Sequence, residues 1–164
     1  MARLGRILDL LANGFAFISG LMVIFALLAV SIDVVMRYFF NSPIPWVLQV
    51  SEYILLYVPF LAAAYVLRSE SHIKVDILLN HLSPRLQALL NLIASILGFA
   101  VIGTVTYYGA RVTWDAYERG LVTMEHVKMP QFIVYLAVPL GSVLFAAQFL
   151  RRARKYYLEM KGID

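Results

Sequence analysis

The sequence predicts an all-α membrane protein with four transmembrane helices and both termini in the cytoplasm. Three observations lead there. The chain of 164 residues is 62% hydrophobic with a mean hydropathy of +0.78, well beyond the roughly half-apolar composition of soluble domains. Its apolar residues fall into four long runs, at about 10–36, 46–67, 85–110 and 130–150. Its basic residues gather at the ends of those runs, as membrane anchors and topology signals do. This placement accounts for the formal charge of +4 without nucleic acid. There is no cysteine, which excludes disulfides, zinc–thiolate sites and iron–sulfur clusters within the chain. Little sequence is left for a soluble domain, so 1–164 reads as a single membrane domain.

The first run, Leu10 to Ile32, carries no charge. At about 1.5 Å per residue it reaches roughly 34 Å, enough to cross the hydrocarbon core. It is longer than a signal-peptide core, and Ala29-Val30-Ser31 is a poor cleavage site. It is therefore expected to be a retained span. Asn41, Ser42, Pro43 and Pro45 then break the helix. Pro45 or Trp46 opens the second helix, since proline is tolerated in a first turn. Pro59 lies within that helix, where it removes an N–H donor and predicts a kink.

Residues 68–85 form a polar connection. Ile73, Ile77, Leu78 and Leu82 would make one face of a short interfacial helix between helices two and three. The alternation Ile73-Lys74-Val75-Asp76-Ile77 equally permits an extended piece. Ser83-Pro84 then supplies an N-cap and a first helical residue. The third helix should continue beyond its apolar part, because Arg111, Asp115 and Arg119 recur every four residues. Gly120 is its natural stop. Pro130 opens the fourth helix, which contains Pro139 and Gly141 and ends in Arg151, Arg152, Arg154 and Lys155.

Orientation follows from the count of Lys and Arg. Ten lie at the two termini and in the 68–85 connection, against four on the other side, which places both termini in the cytoplasm. The Asp33–Glu52 hairpin and the 120–130 loop then face the exterior.

That hairpin carries most of the charge found within membrane-length segments. Asp33 and Arg37 are one turn apart and share a helix face. Trp46, Gln49 and Glu52 recur at helical spacing beyond the turn. Ionisable groups at such depth are costly and are usually kept for a partner. These five residues are the candidates for locking helices or subunits together. Glu52 has three readings: a pair with Arg37, a coupling-proton site, or a contact to a basic residue of another subunit. His72 and Asp76, with His81 near, have the spacing of a metal site, but solvated loop side chains explain them more simply. The three histidines, His72, His81 and His126, all lie in connections, which argues against haem. No phosphate loop and no nucleophile–base pair is present, so neither an enzyme nor a cofactor is expected. Ala94/Gly98 and Ala137/Gly141 would permit close helix approach. The intramembrane polar groups are too few for a solute pathway of the chain's own.

The ordered motifs RYFFNSPIPW, HIKVDILLNHLSPR and a proline-started last helix with Pro-Leu-Gly carry a resemblance. Together they make the chain similar to the small membrane (DctQ-type) subunit of tripartite ATP-independent periplasmic (TRAP) transporters, over about 10–150. The matching positions are Arg37 and Trp46 in the hairpin, His72, Val75 and Asp76 after helix two, and Pro130, Pro139 and Gly141 in helix four. The family often has a carboxylate one turn after the Pro-Trp. Here that position is Gln49, and Glu52 follows three residues later. Either Glu52 takes over the role or the role is absent.

The resemblance implies a non-catalytic subunit of the bacterial inner membrane. Its expected partners are a large multispanning TRAP membrane subunit, a periplasmic substrate-binding protein and membrane lipids. Sodium, and a small organic anion taken up with it, would be handled by the large subunit. Two other readings stand beside this one: a four-helix proton-coupled exporter using Glu52, and a lipid-interacting membrane adaptor.

Overall fold

In the computed structural model, residues 2–69, 84–124 and 126–161 are described. They form α1 (Ala2–Phe39), α2 (Pro45–Arg68), α3 (Pro84–Glu118), α4 (Gln131–Tyr135) and α5 (Ala137–Lys161). Four stretches, Gly5–Phe39, Pro45–Arg68, Leu86–Glu118 and Gln131–Lys161, are long and apolar enough to cross a membrane. The interfacial helix considered between helices two and three, with His72, Val75, Asp76 and His81, lies outside the described residues.

The helices stand in a row, α1–α2–α5–α3, rather than in a closed bundle. α2 packs on α1 at one side and on α5 at the other, while α5 carries α3. α1 and α5 touch only lightly. The contact stripe on α1 explains the packing. Gly5, Ala12, Ser19, Ala26 and Asp33, seven residues apart, are shielded and run down its centre, with Leu8, Phe15, Met22 and Met36 partly covered beside them. That interval is the seam of helices packed at a shallow angle, and small residues allow backbones to approach closely. Most large side chains off the stripe are exposed and apolar, as Phe17 at 70% and Leu27 at 66% illustrate. In water such a surface would be untenable, whereas in lipid it costs nothing.

Gly141 marks the tightest crossing. A Cβ there would lie 2.3 Å from the carbonyl oxygen of Phe60 on α2. Of the other small-residue pairs, Ala137 is fully buried and Gly98 lies under the Phe149 ring, whereas Ala94 is exposed.

The fourth span differs from the single helix expected at 130–150. Pro130 is extended (φ −60°, ψ 125°) and precedes the helix instead of starting it. The helix is interrupted at Leu136. Pro139, three residues on, has no N–H for the Tyr135 carbonyl, and the Leu140 N–H bond to Leu136 resumes the helix. The helix also runs through the basic cluster to Lys161, because residues 151–161 contain no glycine or proline to stop it. α3 does end before Gly120, which takes φ +58°. The N–H groups of Gly120 and Leu121 close back on Tyr117 and Ala116, a Schellman cap.

Candidate functional site

The end of the row that holds the 40–44 hairpin and the 119–130 loop contains two locks. The first is built on Asp33. Its residue is only 7% exposed. One carboxylate oxygen accepts the Ile44 backbone N–H at 2.6 Å and the other accepts Arg37 Nη2 at 2.7 Å. Ile44 is the N-cap residue of α2, and its own side chain cannot cap. Asp33 on α1 therefore supplies from outside what the α2 terminus lacks. A negative charge there also suits the helix dipole. Asn41, with φ +49°, makes the reversal that brings Ile44 back over Asp33. Asparagine is among the few residues that take this conformation readily. Arg37 spends its described ion pair on Asp33, not on Glu52.

The second lock is Gln49, 2% exposed. Its Oε1 accepts the Val127 N–H at 2.7 Å, and its Nε2 donates to the Val127 carbonyl at 2.9 Å. Nε2 also donates to the Tyr53 hydroxyl at 2.7 Å. A primary amide matches a backbone N–H and C=O at once, and a carboxylate would match only the N–H. The loop is presented to Gln49 by its own bonds. Thr123 N–H reaches the Met129 carbonyl at 3.0 Å, Gln131 N–H reaches Leu121 at 2.9 Å, and Val122 bridges Pro130. The Tyr57 hydroxyl, donating to the Ile133 carbonyl, ties the same face of α2 to α4.

Trp46 and Glu52 stay outside both locks. Trp46 is 41% exposed. Glu52 is exposed and, among the described residues, has no hydrogen bond or ion pair. With Met124 and His126 it lines an open hollow of about 510 Å³. Glu52 thus does not take over the contact that Gln49 makes.

A third tie lies at the opposite end. Asp9 Oδ1 accepts Arg151 Nη1 at 2.6 Å and pairs with Arg68 Nε at 3.2 Å, joining α1, α2 and α5. Arg68 also donates to Asn13 at 2.8 Å. Spacing alone does not single out Asp9 in the sequence. The available signal was one acid at the head of the first apolar run, level with arginines that close two others. Val127 gave no such signal, since it contributes only backbone.

The buried hydroxyls are consumed locally, whereas the buried Nε2 of Gln148, a residue 4% exposed, and the buried Nε of Arg152 one turn on have no hydrogen-bond partner among the described residues. Ser19, Ser95, Thr113 and Ser142 each donate to a carbonyl three or four residues back in their own helix. No group of three or more potential metal ligands occurs among the described residues.

Four spans in an open row, tied at both ends, define a small polytopic helical membrane protein. The sequence model of the family described as tripartite ATP-independent periplasmic transporters, DctQ component, matches residues 26–156. The chain belongs to that family and is a transmembrane small permease subunit of the TRAP type. It is 30% identical to the C4-dicarboxylate TRAP transporter small permease protein DctQ of Vibrio cholerae, over 74% of this chain and 61% of that one. It is 27% identical to a putative TRAP transporter small permease protein of Haemophilus influenzae, over 75% and 74% respectively. It is 24% identical to the ectoine TRAP transporter small permease protein TeaB of Halomonas elongata, over 98% and 86%. The chain thus spans 61% of the length of its V. cholerae relative.

Proposed function

We propose that this chain is the fixed, non-catalytic scaffold of a TRAP transporter in the bacterial inner membrane, with both termini cytoplasmic. It packs beside the large multispanning subunit, which carries sodium and a small organic anion. Its outer end offers surface to the periplasmic binding protein that delivers the solute. The observation that carries this reading is the use of its polar groups. Asp33 and Gln49 are spent on holding a helix end and a loop, and the buried hydroxyls on their own helix backbone, which leaves the Gln148 amide as the one unpaired buried uncharged side chain among the described residues. A moving solute pathway needs such groups free and convergent. The relatives' names differ in solute, C4-dicarboxylate in one and ectoine in another, which suits a subunit that does not select it.

The test is a mild-detergent pull-down of the chain from its native membrane at natural expression. A single stoichiometric, much larger multispanning partner supports the scaffold. Recovery of a homodimer alone defeats it and shifts attention to Glu52 as a titrating transport residue.

A further inference from the structure

We propose that the cleft between α1 and α5 seats an acyl chain of an anionic phospholipid from the surrounding bilayer, with its phosphate held by Arg151 and Arg154. The cleft exists because α1 and α5 hardly touch while both lean on α2. It encloses about 390 Å³ and is lined by apolar side chains throughout, among them Leu11 and Phe15 of α1 and Val143 and Ala147 of α5. That volume is within the range of ligand pockets. In a bilayer, lipid tails match the polarity of such a cleft, and the charge at its mouth distinguishes a lipid from an apolar helix.

The charge at its mouth selects the headgroup. On α5, Val143, Ala147 and Arg154 share one face of the helix, because their spacings of four, seven and eleven all return to the same side. The apolar floor therefore leads directly to a guanidinium. Arg154 is exposed and makes no ion pair with a described residue. Arg151, also on α5, reaches toward α1, its guanidinium 3.6 Å from where a Cβ of Gly5 would be. It shares Asp9 with Arg68, so one carboxylate faces two arginines and a positive charge is left over. Two guanidiniums over an apolar slot match a phosphodiester anchored by its tail, because arginine binds phosphate oxygens through paired N–H groups.

The test uses the full chain, purified in mild detergent from its native membrane with any partner it retains. Dioleoyl-phosphatidylglycerol and dioleoyl-phosphatidylcholine are titrated while thermal unfolding is followed. Phosphatidylglycerol should raise the midpoint at lower concentration than phosphatidylcholine. Arg154→Gln, at an exposed position that does not threaten folding, should weaken the phosphatidylglycerol response about fivefold and leave phosphatidylcholine unchanged. Ala147→Phe, which fills the cleft, should blunt both responses. Equal responses to the two lipids, or an unaltered titration in Arg154→Gln, overturns the proposal. A photo-crosslinker at position 143 should label phospholipid. Labelling of a protein helix instead shows a subunit in the cleft and overturns it equally.

Discussion

Gln49 and Val127, 78 residues apart in sequence, are joined by two antiparallel hydrogen bonds of 2.7 and 2.9 Å. A side-chain amide of α2 here pairs with loop backbone as one strand pairs with another. The amide is buried, so its Oε1 depends on Val127 and its Nε2 on Val127 and Tyr53.

Gln49→Glu removes the donor and leaves a carboxylate facing the Val127 carbonyl. Leaving a buried acceptor unpaired costs about 1–3 kcal/mol, and the loop should loosen first. Trypsin would report this at Lys128, which is exposed on that loop. Cleavage there should be faster in Gln49→Glu and Gln49→Leu than in the parent. Equal cleavage rates in all three would mean that the loop holds itself through Thr123 and Met129 alone.

For Asp33 the two carboxylate oxygens serve different partners, and two variants separate them. Asp33→Asn keeps an acceptor for the Ile44 N–H while losing the charge, and Asp33→Ala loses both. Thermal unfolding in detergent should rank parent above Asn above Ala. Arg37→Ala should cost less than either, because the arginine side chain is 57% exposed and such pairs contribute little. An Arg37 variant as damaged as Asp33→Ala would show that the ion pair, not the cap, is the lock.

Much of this end was legible in the sequence. The i,i+4 spacing of Asp33 and Arg37 announced their pairing, and helical spacing put Gln49 among the candidates. Hydropathy gave the four spans because a spanning helix must satisfy its backbone internally and clothe itself in apolar side chains. What stayed hidden depended on backbone or on distance. Asp33 caps Ile44 only because Asn41 turns the chain back. Gln49 answers to a main-chain group that no residue type reveals. Glu52 is the carboxylate nearest the family pattern, yet it makes no hydrogen bond or ion pair with a described residue. The order α1–α2–α5–α3 was illegible because every span is apolar all round, which leaves no amphipathic face to indicate neighbours.

At the Asp9 tie, Asp9→Ala should lower stability by about 1–2 kcal/mol, since it deprives two arginines of a shared, largely shielded acceptor. Asp115→Ala offers the control. Its pair with Arg119 is a surface i,i+4 contact, with side chains 67% and 52% exposed, and its loss should be close to neutral. The two variants compared by thermal unfolding at low and high salt would settle which pair matters. Equal effects would remove Asp9 from any role in holding α1, α2 and α5 together.

The glycines give a graded test of the row itself. At Gly141 an added methyl meets the Phe60 backbone, which can retreat only if α2 and α5 move apart. Gly141→Ala should therefore cost about 1–3 kcal/mol, the usual penalty of overpacking. At Gly98 the obstacle is the Phe149 ring, which can turn aside within the α3–α5 contact, so Gly98→Ala should cost less. At Gly103 nothing lies within 4 Å. There alanine should be neutral or stabilise the helix by up to about 1 kcal/mol through its better propensity. Thermal unfolding of the three variants should thus fall in the order Gly103→Ala, Gly98→Ala, Gly141→Ala, from most to least stable. A Gly141→Ala protein as stable as Gly103→Ala would mean that α2 and α5 do not meet at Phe60. The central contact of the row would then have to be drawn elsewhere.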